Sequence, residues 1–186
     1  MELEKTPPLE PPRPAEIAEG DILLGLGCCG VFSDLPLRDP SSLQVDKSML
    51  DTRIPELGCT VGEELQKPPR NYDGVLDKLL RRGLYPKAAI PITGSLCRII
   101  GRAMPAGLAA RIDTASFPLP PLFELIARHC KLSQQEMFHY FNMGIGLVIF
   151  ISRQDVGQVK NALCCWGERT YVIGFVRKGR AGAELK

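Results

Sequence analysis

The segment Gly25-Leu-Gly-Cys-Cys-Gly-Val-Phe-Ser-Asp34 sets three glycines and two adjacent cysteines within six residues, directly after the apolar run Asp21-Ile-Leu-Leu-Gly-Leu26. A glycine-rich turn leaving a strand can bring backbone N–H groups against a phosphate, because a residue without Cβ tolerates left-handed dihedrals and close approach. The cysteine pair raises a second chemistry, metal or redox. Zinc fits poorly: adjacent cysteines do not easily present both sulfurs to one tetrahedral ion, no Cys-x-x-Cys occurs, and the only histidines are His129 and His139. No metal ligand is assigned. The seven cysteines, at 28, 29, 59, 97, 130, 164 and 165, read instead as free thiols of a reducing compartment, acting as small hydrophobes.

The bulk numbers bound what such a turn can serve. A chain of 186 residues, 45% hydrophobic and 24% charged, is long enough for one domain with a real core. A net charge of +2 gives no broad electrostatic footprint, so no nucleic-acid partner is expected. The local clusters Arg81-Arg82 and Arg177-Lys178-Gly179-Arg180 read as solvated surface. The longest apolar run, Ile145 to Ile151, falls far short of the roughly 20 residues that span a bilayer. No membrane association is expected. The opening residues, acidic and proline-rich, lack the order of a signal peptide, which places the expected location in the cytoplasm.

The elements that must position the turn follow from periodicity. Residues 1–15 carry five prolines and read as a disordered tail or linker remnant. The fold is expected over 16–178, followed by a polar tail at 179–186. Asp21 to Leu26 reads as a buried strand, and Phe32 to Gly58 as a long loop. Thr60-Val-Gly-Glu63 and Ser133-Gln-Gln-Glu136 fit capping boxes. Tyr72, Val75, Leu76, Leu79 and Leu80 mark an amphipathic helix ending at Gly83. Ala88 to Ile92 predicts a strand that Pro91 confines to an edge or an end, followed at Thr93-Gly94 by a helix through Arg102. Leu108 to Ile112 predicts a strand. Pro120-Pro121 open a helix with Leu122, Leu125, Ile126 and a partly buried His129 on one face; His139 is placed at the surface. Gly144 and Gly146 lead into a strand ending at Ile151. A helix starting at Ser152 to Asp155 buries Val156, Val159, Leu163 and Trp166, and Thr170 to Val176 forms the last strand. This order predicts an α+β fold, a mixed β-sheet flanked by helices.

Five segments together resemble aminoimidazole ribonucleotide (AIR) synthetase, the cyclo-ligase that closes the imidazole ring in purine synthesis. They are GDILLGLGCCGVFSD, RIPELGCTVGEELQKPPRNY, IPITGSLCRIIGRAMPAGLAARID, LSQQEMFHYFNMGIGLVIFIS and ERTYVIGFV. The resemblance reaches from about Glu16 to Lys178 and covers the carboxyl-terminal domain of that family. It implies a reaction in which ATP phosphorylates the amide oxygen of formylglycinamidine ribonucleotide and a nitrogen of the same substrate displaces it. It also implies that ATP and magnesium are held by an amino-terminal domain with no counterpart in this sequence. On that basis no cofactor is expected on this chain alone, and its expected partners are a second copy, as a homodimer, or an AIR-synthetase amino-terminal domain.

Set against the family's motifs, the reactive lining has changed. The family's first turn reads Gly-Ser-Ser-Gly, a variable residue, then His-Ser-Asn-Gly; here those positions carry Cys28, Cys29, Phe32, Ser33, Asp34 and Leu35. Thiols donate hydrogen bonds poorly, and a phenyl ring cannot do acid–base work. The family's His-x-Thr-Gly-Gly-Gly stands here as Pro91-Ile-Thr-Gly-Ser-Leu96, with side chains where two glycines would let a ligand approach. What remains for substrate or phosphate binding is Gly27 and Gly30 through their amides, Ser33, Arg70, Thr93 and Gly94 as a helix N-terminus or a plain structural cap, and Asn142, which either orients substrate or satisfies a turn. No catalytic residue is assigned. Two readings stay open: a divergent or truncated cyclo-ligase domain that is inactive alone, a pseudoenzyme by itself, or a non-catalytic module that docks on a complete synthetase or another partner. The related thiamine-monophosphate kinase and selenophosphate synthetase branches are less favoured by the Phe-Asn-Met-Gly run.

Overall fold

The computed structural model describes residues 16–33, 47–55 and 58–186. The expectations for residues 1–15 and for Asp34 and Leu35 fall outside them. The chain runs β1 (Ile22–Gly27), α1 (Lys47–Leu50), β2 (Arg53–Ile54), β3 (Cys59–Thr60), α2 (Val61–Leu65), α3 (Asp73–Arg81), β4 (Ala88–Pro91), α4 (Leu96–Ala103) and β5 (Leu108–Ile112). It continues through α5 (Pro121–Cys130), α6 (Gln134–Tyr140), β6 (Ile145–Ile151), α7 (Val156–Cys165), β7 (Thr170–Lys178) and β8 (Gly182–Leu185).

Continuous apolar runs mark strands covered on both faces, and β1 and β6 are such strands. They pair antiparallel at the middle of a six-stranded sheet ordered β4-β6-β1-β7-β5-β8. Only β5 and β8 run parallel, so the sheet is mixed, as the sequence predicted. Pro91 sits on the edge strand β4, where a missing N–H costs no ladder bond. Alternate residues then build two cores. Leu23, Val148, Phe150, Ala110 and Ile112 face one side, with buried residues of α4, α5 and α6. Ile22, Leu24, Leu26, Leu147, Ile149 and Ile151 face the other, packed with Val75 and Leu79 of α3 and Val159 and Leu163 of α7. Burying one such side chain contributes about 1.5–3 kcal/mol, and all seven residues of β6 are buried.

The second layer stops short. Val172 and Phe175 of β7 stand in register with Leu24 and Ile22, hence on the same face, yet they remain 39% and 42% exposed. Both capping boxes form as expected, from Thr60 with Glu63 and Ser133 with Glu136.

Several expectations are corrected. The polar tail after 178 is in part a strand: β8 pairs with β5 from Ala109–Gly182 to Ile112–Leu185. Its short alternation of small and apolar residues carries little periodic signal, and the sheet edge it completes is remote in sequence. The described part of the expected loop 32–58 holds α1 and β2, and Met49 and Ile54 reach the core. His129 is exposed rather than partly buried. Trp166 caps α7 half-buried, with Lys78 and Arg82 over its ring at 5.7 and 5.1 Å. All seven cysteines are free thiols, as expected; Cys97 lies in the core and Cys130 packs against it, whereas Cys29, Cys164 and Cys165 are exposed and do not act as small hydrophobes. The basic clusters are paired surface, Arg81 with Asp77 and Arg177 with Glu184.

Candidate functional site

The turn after β1 is tied to the entrance of β6. Asn142, fully buried, accepts the Phe32 N–H at 2.9 Å and donates its amide to Cys28 Sγ, the Gly30 carbonyl and the Ile145 carbonyl at 3.3, 3.4 and 3.2 Å. Its backbone N–H donates to the Phe32 carbonyl, and Ser33 bridges to Phe141. A buried amide with both ends satisfied holds a fixed geometry. Asn142 is therefore placed as the brace of the turn.

The amides expected to meet phosphate are already engaged. Gly27 N–H donates to the Arg169 carbonyl at 2.8 Å, and Gly30 N–H to Glu64 Oε1 at 2.8 Å. Gly30 takes φ +97°, which a residue with a side chain rarely adopts. These two amides fix the turn, and their N–H groups already have acceptors. Gly146 has a different reason to be glycine: a Cβ there would lie 2.2 Å from Tyr72 Oη and 2.7 Å from Cys28 Cβ. Tyr72 thus inserts against the turn, and its buried hydroxyl has no hydrogen-bond partner among the described residues.

A cleft of about 340 Å³ lies beside this turn, lined by Gly27, Cys28, Cys29, Lys67, Arg70 and Arg169 among others. Two of its cations are anchored from below by buried carboxylates. Lys67 pairs with Glu64 at 2.5 Å, and Arg70 grips Glu168 through both terminal nitrogens at 2.9 and 2.5 Å. Arg70 also lies 5.1 Å from the centre of the Tyr72 ring. Glu64 gathers three donors: Gly30 N–H, Lys67 Nζ and, at 3.3 Å, Cys59 Sγ. Burial pushes the Glu64 carboxyl up, but these hydrogen bonds outweigh it and hold the group below its ordinary value. Burial and the neighbouring Cys29 push Cys28 to about 12, so that thiol stays protonated near neutrality and is no nucleophile. Burial likewise raises Tyr72.

The residues present do not fit a magnesium ion. Hard cations need several oxygen ligands; Glu64 and Glu168 already bind Lys67 and Arg70, and the described residues contain no group of three or more candidate metal ligands.

Among the expected binding residues, the structure brings Gly27 and Arg70 to the cleft wall and Gly30 to an adjoining smaller cavity. Ser33 and Asn142 sit behind the turn. Thr93 is exposed, Gly94 is buried, and neither lines the cleft. The helix after them is capped one residue later than expected: Ser95 Oγ accepts the Arg98 N–H at 3.1 Å and donates to the Phe138 carbonyl at 3.3 Å. Leu96 is fully buried, and its N–H donates to the Phe141 carbonyl. Thr93-Gly94 is thus no helix N-terminus.

Sequence reasoning missed Glu64, Lys67, Glu168 and Arg169. The Arg70 to Glu168 pair joins residues 98 apart, which no local pattern reveals. Arg169 was findable from topology, because β1 and β7 are antiparallel neighbours with Leu26 opposite Thr170, so the start of β7 must flank the turn that ends β1.

Residues 19–185 match the family model described as AIR synthase related protein, C-terminal domain. Proteins named phosphoribosylformylglycinamidine cyclo-ligase are similar across most of the chain. That of Agathobacter rectalis is 32% identical over 91% of this chain and 50% of its own length; that of Shouchella clausii is 38% identical over 86% and 47%. The chain therefore spans about half the length of these relatives. Among solved structures, E. coli HypE matches with a TM-score of 0.55 at 22% identity, covering 96% of this chain and 50% of its own. A HypE-HypF complex matches at 0.60 with 15% identity over 91% and 50%, and thiamine-monophosphate kinase of Stenotrophomonas maltophilia at 0.53 with 18% over 94% and 52%. At these identities the structures establish the fold alone. The match over residues 19–185 spans most of the chain, which therefore belongs to the AIR synthase related C-terminal domain family.

Proposed function

We propose that this chain acts as the carboxyl-terminal half of a phosphoribosylformylglycinamidine cyclo-ligase in purine biosynthesis, holding ligand in the cleft beside Cys28 and Cys29, and that it does not turn over substrate alone. ATP and magnesium belong, on this reading, to the amino-terminal half of such an enzyme. The observation that carries it is the chemistry of the cleft: both carboxylates beneath it are bound by cations, and Cys28 is held protonated. Such a lining can position an anionic substrate but offers neither free base nor phosphoryl donor. The positions where the family carries histidine hold Phe32 and Pro91, which fits the same reading. Among the described residues no helix is long and apolar enough to cross a membrane; a cytoplasmic location is part of this proposal.

The test mixes this chain with the isolated amino-terminal domain of a relative, ATP, magnesium and formylglycinamidine ribonucleotide, and follows ADP release. Turnover only in the mixture supports the proposal. Conversion by the chain unaided, or no ADP from the mixture, overturns it. Phe32→His and Pro91→His raise the mixed rate if the lost imidazoles matter.

A second reading, a non-catalytic docking module, draws on the uncovered half of the sheet, where Val172 and Phe175 stay exposed. Sedimentation at rising concentration, of the wild type and of Phe175→Asp, tests it. A chain that remains monomeric throughout removes its motive.

A further inference from the structure

We propose that the cleft beside the Cys28–Cys29 turn is an oxyanion site for a phosphate monoester, in which Arg169 is the recognition residue. The inference rests on the cleft being the ligand site of the reading above, and what it adds is the residue that selects the phosphate of that ligand.

The charges are arranged asymmetrically. In the two ion pairs of the wall, Lys67 and Arg70 have side chains 43% and 47% exposed, whereas their partners Glu64 and Glu168 are only 3% and 7% exposed. A ligand entering the cleft therefore meets cations first, with the neutralising carboxylates behind them. These pairs cancel in net charge. Arg169 does not: its side chain is exposed and makes no hydrogen bond or ion pair among the described residues. It is the surplus charge of the site.

Its position is also central, shared with Cys28. Arg169 lines the cleft of about 340 Å³ and both adjoining cavities around the turn, of about 70 and 240 Å³. The largest lies at the low end of the ~300–1,000 Å³ typical of small-molecule sites. Its backbone is pinned, because the Arg169 carbonyl accepts the Gly27 N–H at 2.8 Å. A planar guanidinium with paired donors matches the oxygens of a terminal phosphate and grips them bidentately, which an ammonium cannot do. Gly27 and Gly167 contribute no side chain to the lining, leaving space before the fork.

The test is calorimetric titration of the full chain with ribose 5-phosphate, and separately with inorganic phosphate, at low and raised salt. Saturable binding is expected, tighter for the sugar phosphate; equal affinity for the free ion overturns the assignment to a monoester. Arg169→Ala is expected to weaken binding by about ten-fold, the scale of a lost charge-assisted contact. Arg169→Lys should fall between it and the wild type, because charge is kept but the fork is lost. Arg153→Ala, which removes an exposed arginine that does not line the cleft, should change binding by less than about two-fold. A thermal melt of each variant checks that it is folded; Arg169→Gln replaces any that is not. Equal weakening by the two alanine variants, or no saturable binding of either phosphate, overturns the proposal. The measurement needs neither ATP nor a second domain, so a silent ADP assay leaves it standing. Turnover in the mixture that survives Arg169→Ala unchanged overturns the anion site without touching the cyclo-ligase reading.

Discussion

The turn after β1 and the turn after β4 both leave a strand of the central sheet through small residues, Gly27 to Ser33 in one and Thr93 to Ser95 in the other. They serve opposite purposes. The first borders a cleft, and its backbone is held open from behind by Asn142 and Glu64. The second is closed: Ser95 caps α4 and reaches α6, and Leu96 fills the core. What a small-residue turn becomes is decided by where its side chains point. Thiols at Cys28 and Cys29 face the cleft and leave it open; a leucine at position 96 faces inward and converts a loop into a packing joint.

The sharpest challenge to this contrast is Leu96→Gly. If the second turn is a packing joint, the substitution opens a cavity and adds a glycine to a helix start, costing about 3–5 kcal/mol in urea unfolding. A loss under about 1 kcal/mol would mean the turn is still a loop that tolerates glycine. Next comes Asn142→Ala, which leaves the Phe32 N–H without its acceptor and the Gly30 and Ile145 carbonyls without a donor. The expected cost is about 2–4 kcal/mol, with hydrogen exchange rising at Phe32. Leu96→Gly should leave that amide protected.

Glu64→Gln should cost about 1–3 kcal/mol at neutral pH. Its sharper readout is the pH profile. The folded Glu64 carboxyl lies below its ordinary 4.5, so as pH falls the unfolded chain takes up the proton first. The stabilisation is complete above that value and is lost as pH drops through the lower, folded one. The Gln variant should therefore show a flatter acid limb in stability measured across that window, and an unchanged slope would remove Glu64 from its role beneath the first turn. Ser95→Ala, the smallest of these effects, removes the cap of α4 and is expected to cost about 1 kcal/mol in thermal unfolding, without altering phosphate binding at the other turn.

Local rules were enough for much of the scaffold. The capping boxes at Thr60 and Ser133, the stripe of α3 and the buried runs of β1 and β6 each depend on residues within a few positions of one another, and each was legible. β8 was not, since Gly182-Ala-Glu-Leu185 becomes a strand only because β5 offers an edge. The site was legible only in fragments. Gly27, Arg70 and the cysteine pair do meet at the cleft, but the amides read as phosphate donors were claimed by Arg169 and Glu64, partners 142 and 34 residues away. Arg169 itself carries no motif. Its place at the cleft follows from strand pairing.

By itself the sequence determined most of the elements, the order in which these follow and the family, because hydrophobic period and cap chemistry act over one or two turns of chain. The tertiary structure decided which polar groups face solvent and which are already satisfied. A hydrogen bond or ion pair between distant segments exists only once the sheet has brought them within about 3 Å, and that pairing left Arg169 without a counter-charge among the described residues of the cleft.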